Sequence, residues 1–224
     1  MARIDRLAVL GAILEIGAVP TFTPHDLASA RRVVEACYRA GARVIEITNR
    51  GSETYEIFRE LVPAMTSEHA DLILGAGTIY DAPTAALFIA AGAEFIVSPI
   101  LNADVARHCN RRRIPYLPGC GTATEISEAE ELGVEIVKLF PAAAFNGPAF
   151  VRGLLGPSPR SRIMPTNVEA TREATEGWFR AGVACVGVGS SLITDALQEE
   201  PDLTLLSARV AEYLDWIRAA RARA

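Results

Sequence analysis

A chain of 224 residues that is 50% hydrophobic and 22% charged can bury a sizeable core, and α/β barrels of this length are commonly one domain. Its net charge of −5, with Arg111-Arg112-Arg113 as the sole basic run, argues against nucleic-acid binding. No stretch reaches membrane-spanning length, and Met1 to Arg6 leads into a mixed segment with no long apolar run and cleavage site. Cys37, Cys109, Cys120 and Cys185 form no CxxC pair, which fits free thiols in a cytoplasmic protein. His25, His69 and His108 lack metal-ligand spacing, so neither a metal nor another cofactor is expected.

Residues 2 to 12 read as a short helix. A pattern then recurs: an apolar run, a polar or Gly/Pro cluster, a helix, and a glycine stop. The runs are Ile16 to Phe22, Arg43 to Thr48, Asp71 to Gly75, Glu94 to Ser98, Ile114 to Leu117, Glu135 to Phe140, Arg162 to Pro165 and Ala184 to Val188. Their β-branched and aliphatic content, with little alternation, suits strands covered on both faces.

The intervening helices carry end signals. Thr23-Pro24-His25-Asp26 offers an N-cap followed by Pro at the first helical position, Ser52 and Asp81 are plausible N-caps, and Thr122 to Glu125 is a capping box. Gly41, Gly92, Gly133 and Gly182 each stand where a left-handed residue would stop a helix before the next run. Residues 147 to 155 suggest a shorter, poorer helix. Residues 203 to 222 form the last one, with Leu205, Val210, Tyr213, Leu214 and Ile217 on its apolar face. Eight βα units with no linker-like segment predict a single (β/α)8 TIM barrel over residues 1–224, with a short N-terminal helix. An open doubly wound sheet fits less well, because Gly75-Ala76-Gly77-Thr78 lacks the third glycine of a dinucleotide fingerprint and follows the third strand.

Function in such a barrel sits at the C-terminal strand ends. Read in turn, those ends carry Glu46 and Arg50, then Thr78, then Ser98 and Pro99, then Pro118-Gly119, then Lys138 and Phe140, then Thr166, and last Ser190 and Ser191. Lys138 is the chain's one lysine and lies in an apolar β-type run, Val134 to Pro141. A desolvated lysine can lose its proton and attack a carbonyl carbon, which arginine cannot do. Each residue also has a plainer reading: a snorkelling lysine, a salt-bridged glutamate, an exposed loop arginine, turn or cap hydroxyls. Together on one rim, an amine, a proton carrier and a carboxylate clamp suit imine chemistry on a 2-keto acid.

Six segments in order carry a resemblance: Ile45-Glu46-Ile47-Thr48-Asn49-Arg50, Gly75 to Thr78, Phe95 to Pro99, Tyr116 to Gly119, Val137-Lys138-Leu139-Phe140-Pro141, and Gly187 to Ser190. The chain resembles the class I 2-keto-3-deoxy-6-phosphogluconate (KDPG) and 4-hydroxy-2-oxoglutarate (KHG) aldolases over roughly residues 10 to 195. That resemblance implies an imine on Lys138 and proton transfer by Glu46. It implies that Arg50 and Thr78 hold the substrate carboxylate, that Phe140 packs against the substrate and that Pro99 shapes the pocket; Thr166 and Ser190 join the expected substrate-binding set. It further implies a metal-free homotrimeric lyase acting on a small-molecule 2-keto acid.

Two departures stand out. After the seventh run the family reads Pro-Thr-Gly-Gly-Val, whereas this chain reads Pro165-Thr166-Asn167-Val168-Glu169. At the first run many members carry an arginine, whereas Val19 to Thr23 holds no basic residue. Both weigh against a phosphate site and toward an unphosphorylated substrate. The alternatives are a sugar-phosphate isomerase or epimerase-like barrel using Glu46 as base, and a non-catalytic binding barrel.

Overall fold

The protein is described from a computed structural model covering residues 3–223. Ala2, where the first helix was expected to start, lies outside the described residues. Helix α1 (Arg6–Ile16) begins instead after Asp5, whose carboxylate accepts from the Leu7 amide at 2.9 Å, and Gly17 ends it at φ 74. The expected βα alternation follows: β1 (Ala18–Phe22), α2 (Leu27–Arg39), β2 (Val44–Thr48), α3 (Thr54–Glu68), β3 (Ile73–Gly77), α4 (Ala82–Ala90), β4 (Ile96–Val97) and α5 (Ala103–Arg112). The second half runs β5 (Tyr116–Leu117), β6 (Gly119–Cys120), α6 (Ala123–Glu131), β7 (Val137–Leu139), α7 (Pro148–Leu155), β8 (Ile163–Pro165), α8 (Arg172–Arg180), β9 (Val186–Val188), α9 (Asp195–Glu199) and α10 (Leu203–Arg221).

Every ladder is parallel. Strands β5-β4-β3-β2-β1-β9 form one sheet and β6-β7-β8 another. Pro118, lacking an N–H, splits the fifth barrel position into β5 and β6, and its carbonyl accepts from the Lys138 amide at 3.0 Å. A bridge between Thr166 and Gly187 joins β8 to β9 and closes the ring. The expected (β/α)8 barrel is therefore the observed fold.

Strand alternation sorts the apolar residues into two clusters. Residues pointing outward, such as Ile45, Ile47, Leu74, Ala76, Val137, Leu139, Val186 and Val188, pack in the layer beneath the helices. Inward residues Val19, Val44, Ile73, Phe95, Val97, Leu117, Ile136, Met164 and Cys185 form the barrel's own core. Helix α1 plugs this core from the N-terminal end through Val9, Leu10 and Ile13. Arg6 pins the plug by pairing with both Glu135 carboxylate oxygens at 2.8 Å.

Gly41, Gly92, Gly133 and Gly182 take φ from 83 to 104 at the helix ends, as expected. Asp81 and Thr122 are N-caps, and Thr122 with Glu125 completes the capping box. Two caps differ. Asp26, not Thr23, caps α2, because its carboxylate reaches the Ser29 amide at 2.7 Å while Thr23 bonds Thr48 instead. Glu53, not Ser52, occupies the cap position of α3, with no side-chain cap bond. On α10, Leu205 is 61% exposed and Leu206 is 2% exposed, so the apolar stripe starts one residue later than expected. Helix α9 and a 3-10 turn at Ala142–Phe145 had no signal strong enough to predict. Truncating Leu206 to Ala should cost about 2–5 kcal/mol in urea unfolding, whereas Leu205→Ala should change stability by less than about 0.5 kcal/mol.

Candidate active site

The alternation that fills the lower barrel with apolar groups brings polar ones to its C-terminal mouth. Two residues above Val44 stands Glu46, two above Ile136 stands Lys138, two above Met164 stands Thr166, and two above Val19 stands Thr21. These side chains open onto a cavity of about 220 Å³. Of the expected site residues, Glu46, Arg50, Lys138, Phe140, Thr166 and Ser190 line it together.

Thr78 and Pro99 do not. Thr78 follows β3 in a left-handed conformation, φ 61, next to the end of β2, since Thr48 pairs with Gly77 and the Asn49 amide donates to Gly77 O at 2.8 Å. Pro99 lines a neighbouring cavity of about 530 Å³, and Phe140 lies between the two, lining both.

Lys138 is 8% exposed, and its Nζ lies 5.0 Å from the Phe140 ring centroid. Burial holds its pKa below the 10.5 of an ordinary lysine; the Glu46 charge acts in the opposite sense and Arg50 adds to the lowering. No carboxylate among the described residues pairs with Nζ within 4.0 Å, so the ammonium form lacks the close partner that would hold its proton. Glu46 is 1% exposed, and its Oε2 accepts from the Thr21 hydroxyl at 3.3 Å. The carboxylate has room because residue 77 is glycine: a Cβ there would stand 1.8 Å from Glu46 Oε1. The arrangement provides a buried amine free to become a nucleophile, a nearby carboxylate able to carry protons, and an exposed guanidinium at the rim.

Sequence reasoning missed several lining residues. Thr21 and Thr23 extend β1, and Thr48 sits two residues above Glu46 on the same face; inward alternation would have found them. Asp195 and Gln198 come from α9, a five-residue helix too short to announce itself by periodicity. Asn167, noticed as a departure, lines the cavity in the left-handed conformation, φ 60. Among the described residues no group of three or more His, Cys, Asp or Glu side chains is placed to hold a metal ion, and no helix is long and apolar enough to cross a membrane.

The sequence profile described as KDPG and KHG aldolase matches residues 12–208. The 2-dehydro-3-deoxy-phosphogluconate aldolase of Pseudomonas aeruginosa is 32% identical over 214 residues, covering 96% of this chain and 93% of that protein. The KHG/KDPG aldolase of Escherichia coli is 30% identical over 189 residues, covering 84% and 86%. Among solved structures, the 2-keto-3-deoxy-6-phosphogluconate aldolase of Zymomonas mobilis superposes with a TM-score of 0.82 at 26% identity, covering 95% of this chain and 97% of that one.

A lowered pKa means that Lys138 loses its proton at a lower pH than an exposed lysine does. Acylation of Lys138 by acetic anhydride, read by peptide mapping, should reach half-maximal rate below pH 10.5 in the native protein and move up toward that value in denaturant. The same midpoint in both states would refute the assignment.

Proposed function

The chain belongs to the KDPG and KHG aldolase family, whose members are class I lyases that cleave a 2-keto-3-deoxy acid to pyruvate and an aldehyde, and we propose that Lys138 carries this chemistry. The supporting observation is the chain's one lysine, buried beside the Glu46 charge at the mouth of the barrel, with its pKa lowered by burial.

In this reading the neutral Lys138 amine attacks the C2 carbonyl of the substrate, and a proton delivered to the carbinolamine hydroxyl lets it leave as water, giving a protonated imine. Removal of the C4 hydroxyl proton then breaks the C3–C4 bond. The electron pair moves onto C3 and into the imine, giving an enamine, and the aldehyde departs. The enamine takes a proton at C3, and water hydrolyses the resulting imine to pyruvate and the free amine. The reverse sequence adds pyruvate to an aldehyde.

Glu46 moves the protons, partly through water. Its burial and its hydrogen bond from Thr21 fix the carboxylate's position. Arg50 and Thr78, at the adjacent ends of β2 and β3, hold the substrate carboxylate. Phe140 packs against the bound three-carbon unit, Pro99 shapes the pocket from the neighbouring cavity, and Thr166 and Ser190 offer hydroxyls to the substrate. We read the whole chain as one barrel domain that works as a homotrimer. Four buried free cysteines suit a cytoplasmic setting.

Borohydride reduction in the presence of pyruvate tests the assignment directly, because the N-terminus is the one competing amine. A reduced pyruvyl adduct is expected on Lys138, and Lys138→Met should lose both the adduct and at least about a thousandfold in cleavage rate. Glu46→Gln should slow cleavage by about 10²–10⁴-fold. A folded wild-type protein that forms no adduct would remove Lys138 from the mechanism.

A further inference from the structure

The cavity that holds Lys138 is also lined by Asp195 and Gln198 of α9. Arg50 and Lys138 are the cavity's two cationic side chains, and Glu46 and Asp195 its two anionic ones. The reaction engages both cations at the pyruvate end, one in the imine and one on the carboxylate. Asp195, the first residue of α9, also lines the cavity, with its side chain 83% exposed.

Barrels that bind phosphate commonly do so with the loops after the seventh and eighth strands and the N-terminus of a short extra helix. Here that place is already taken. The amides of Leu192 and Ile193 both donate to Gly189 O, at 2.8 and 3.0 Å, so these two donors of the turn after β9 are directed back into the turn. Thr194 caps α9 through its hydroxyl, and the Asp195 carboxylate follows it, putting a negative charge where an anion would have to sit.

The deeper wall carries an unfilled acceptor. Gln198 lines the cavity and is 4% exposed. Its Nε2 faces Asp195 Oδ1 at 3.4 Å, which fixes the amide orientation, because the flipped amide would set two acceptors against each other. That leaves Gln198 Oε1 buried with no donor among the described residues. His25 Nε2 stands 3.9 Å from the Asp195 carboxylate, and His25 is not among the residues that line the cavity. A buried acceptor without a donor is costly until a ligand supplies one.

On the aldolase reading above, we propose that Asp195 and Gln198 determine the aldehyde, and that this aldehyde is a neutral hydroxylated one of the glyceraldehyde class. Its hydroxyls donate to Gln198 Oε1 and to the Asp195 carboxylate. A phosphate monoester at neutral pH brings acceptors and negative charge, which satisfy neither group.

The test is addition of pyruvate to D-glyceraldehyde and to D-glyceraldehyde 3-phosphate, with kcat and KM resolved for each aldehyde. Pyruvate trapping by borohydride, which needs no aldehyde, is run in parallel on every protein as the reference. The wild type should use glyceraldehyde with a kcat/KM at least about tenfold above that for its 3-phosphate. Asp195→Asn, a change on an exposed side chain, and Gln198→Leu should each cut that ratio at least about fivefold, mainly through the KM for aldehyde. Equal use of both aldehydes, a preference for the phosphorylated one, or a ratio unchanged in both variants would overturn the proposal. If trapping succeeds in those cases, the imine reading stands and this inference alone fails; if the folded wild type gives no adduct, both fall.

Discussion

The site depends on the cost of holding a charged ammonium out of water. Burial pushes the Lys138 pKa down, the Glu46 charge pulls it back, and burial wins. A lysine paired directly with a carboxylate would keep its proton and stay inert as a nucleophile. An exposed one would be protonated at neutral pH. Lys138 is neither exposed nor directly paired: Glu46 is close enough to act on it electrically, but no carboxylate among the described residues forms an ion pair with Nζ. Glu46 itself is buried and takes a hydrogen bond from Thr21 on Oε2, while Oε1 packs against Gly77.

That balance rests on the layering of the barrel. The inward residues of the lower strands, sealed by α1, make a dry apolar floor, and the polar residues begin only above it. Without the floor, water entering from the N-terminal end would rehydrate Lys138 and restore an ordinary pKa. The glycines on β3 belong to the same construction. Gly77 leaves space for the Glu46 carboxylate, and Gly75 leaves space for the Phe95 ring, whose atoms would lie 2.4 Å from an added Cβ. The floor is filled and the polar layer above it is kept open by the choice of side chain at alternate positions of the same strands.

The outer end of the cavity obeys a different logic. The Asp195 carboxylate and the unpaired Gln198 Oε1 present acceptors there. The inner end, with an amine and a guanidinium, is suited to a keto acid. The cavity thus holds groups that ask for opposite hydrogen-bonding partners, and the proposed substrate, with a carboxylate head and a hydroxylated tail, supplies both.

The sequence by itself determined the eight βα units, the four glycine helix stops, the caps at Asp81 and Thr122 and the rim carrying Glu46, Arg50 and Lys138, because each rests on local spacing or on a backbone conformation that few residues adopt. It also exposed Lys138 by plain count. Tertiary structure decided the remainder. Which strand-end residues share the cavity depends on barrel closure: Thr166 and Ser190 turn into it, while Pro99 lines the neighbouring space and Thr78 lies outside the lining. Leu206 rather than Leu205 faces the core, a point that the spacing itself carries, since Leu206 lies four residues before Val210 on the stripe shared with Tyr213, Leu214 and Ile217. Asp195 and Gln198 reached the site on a helix too short to have a period.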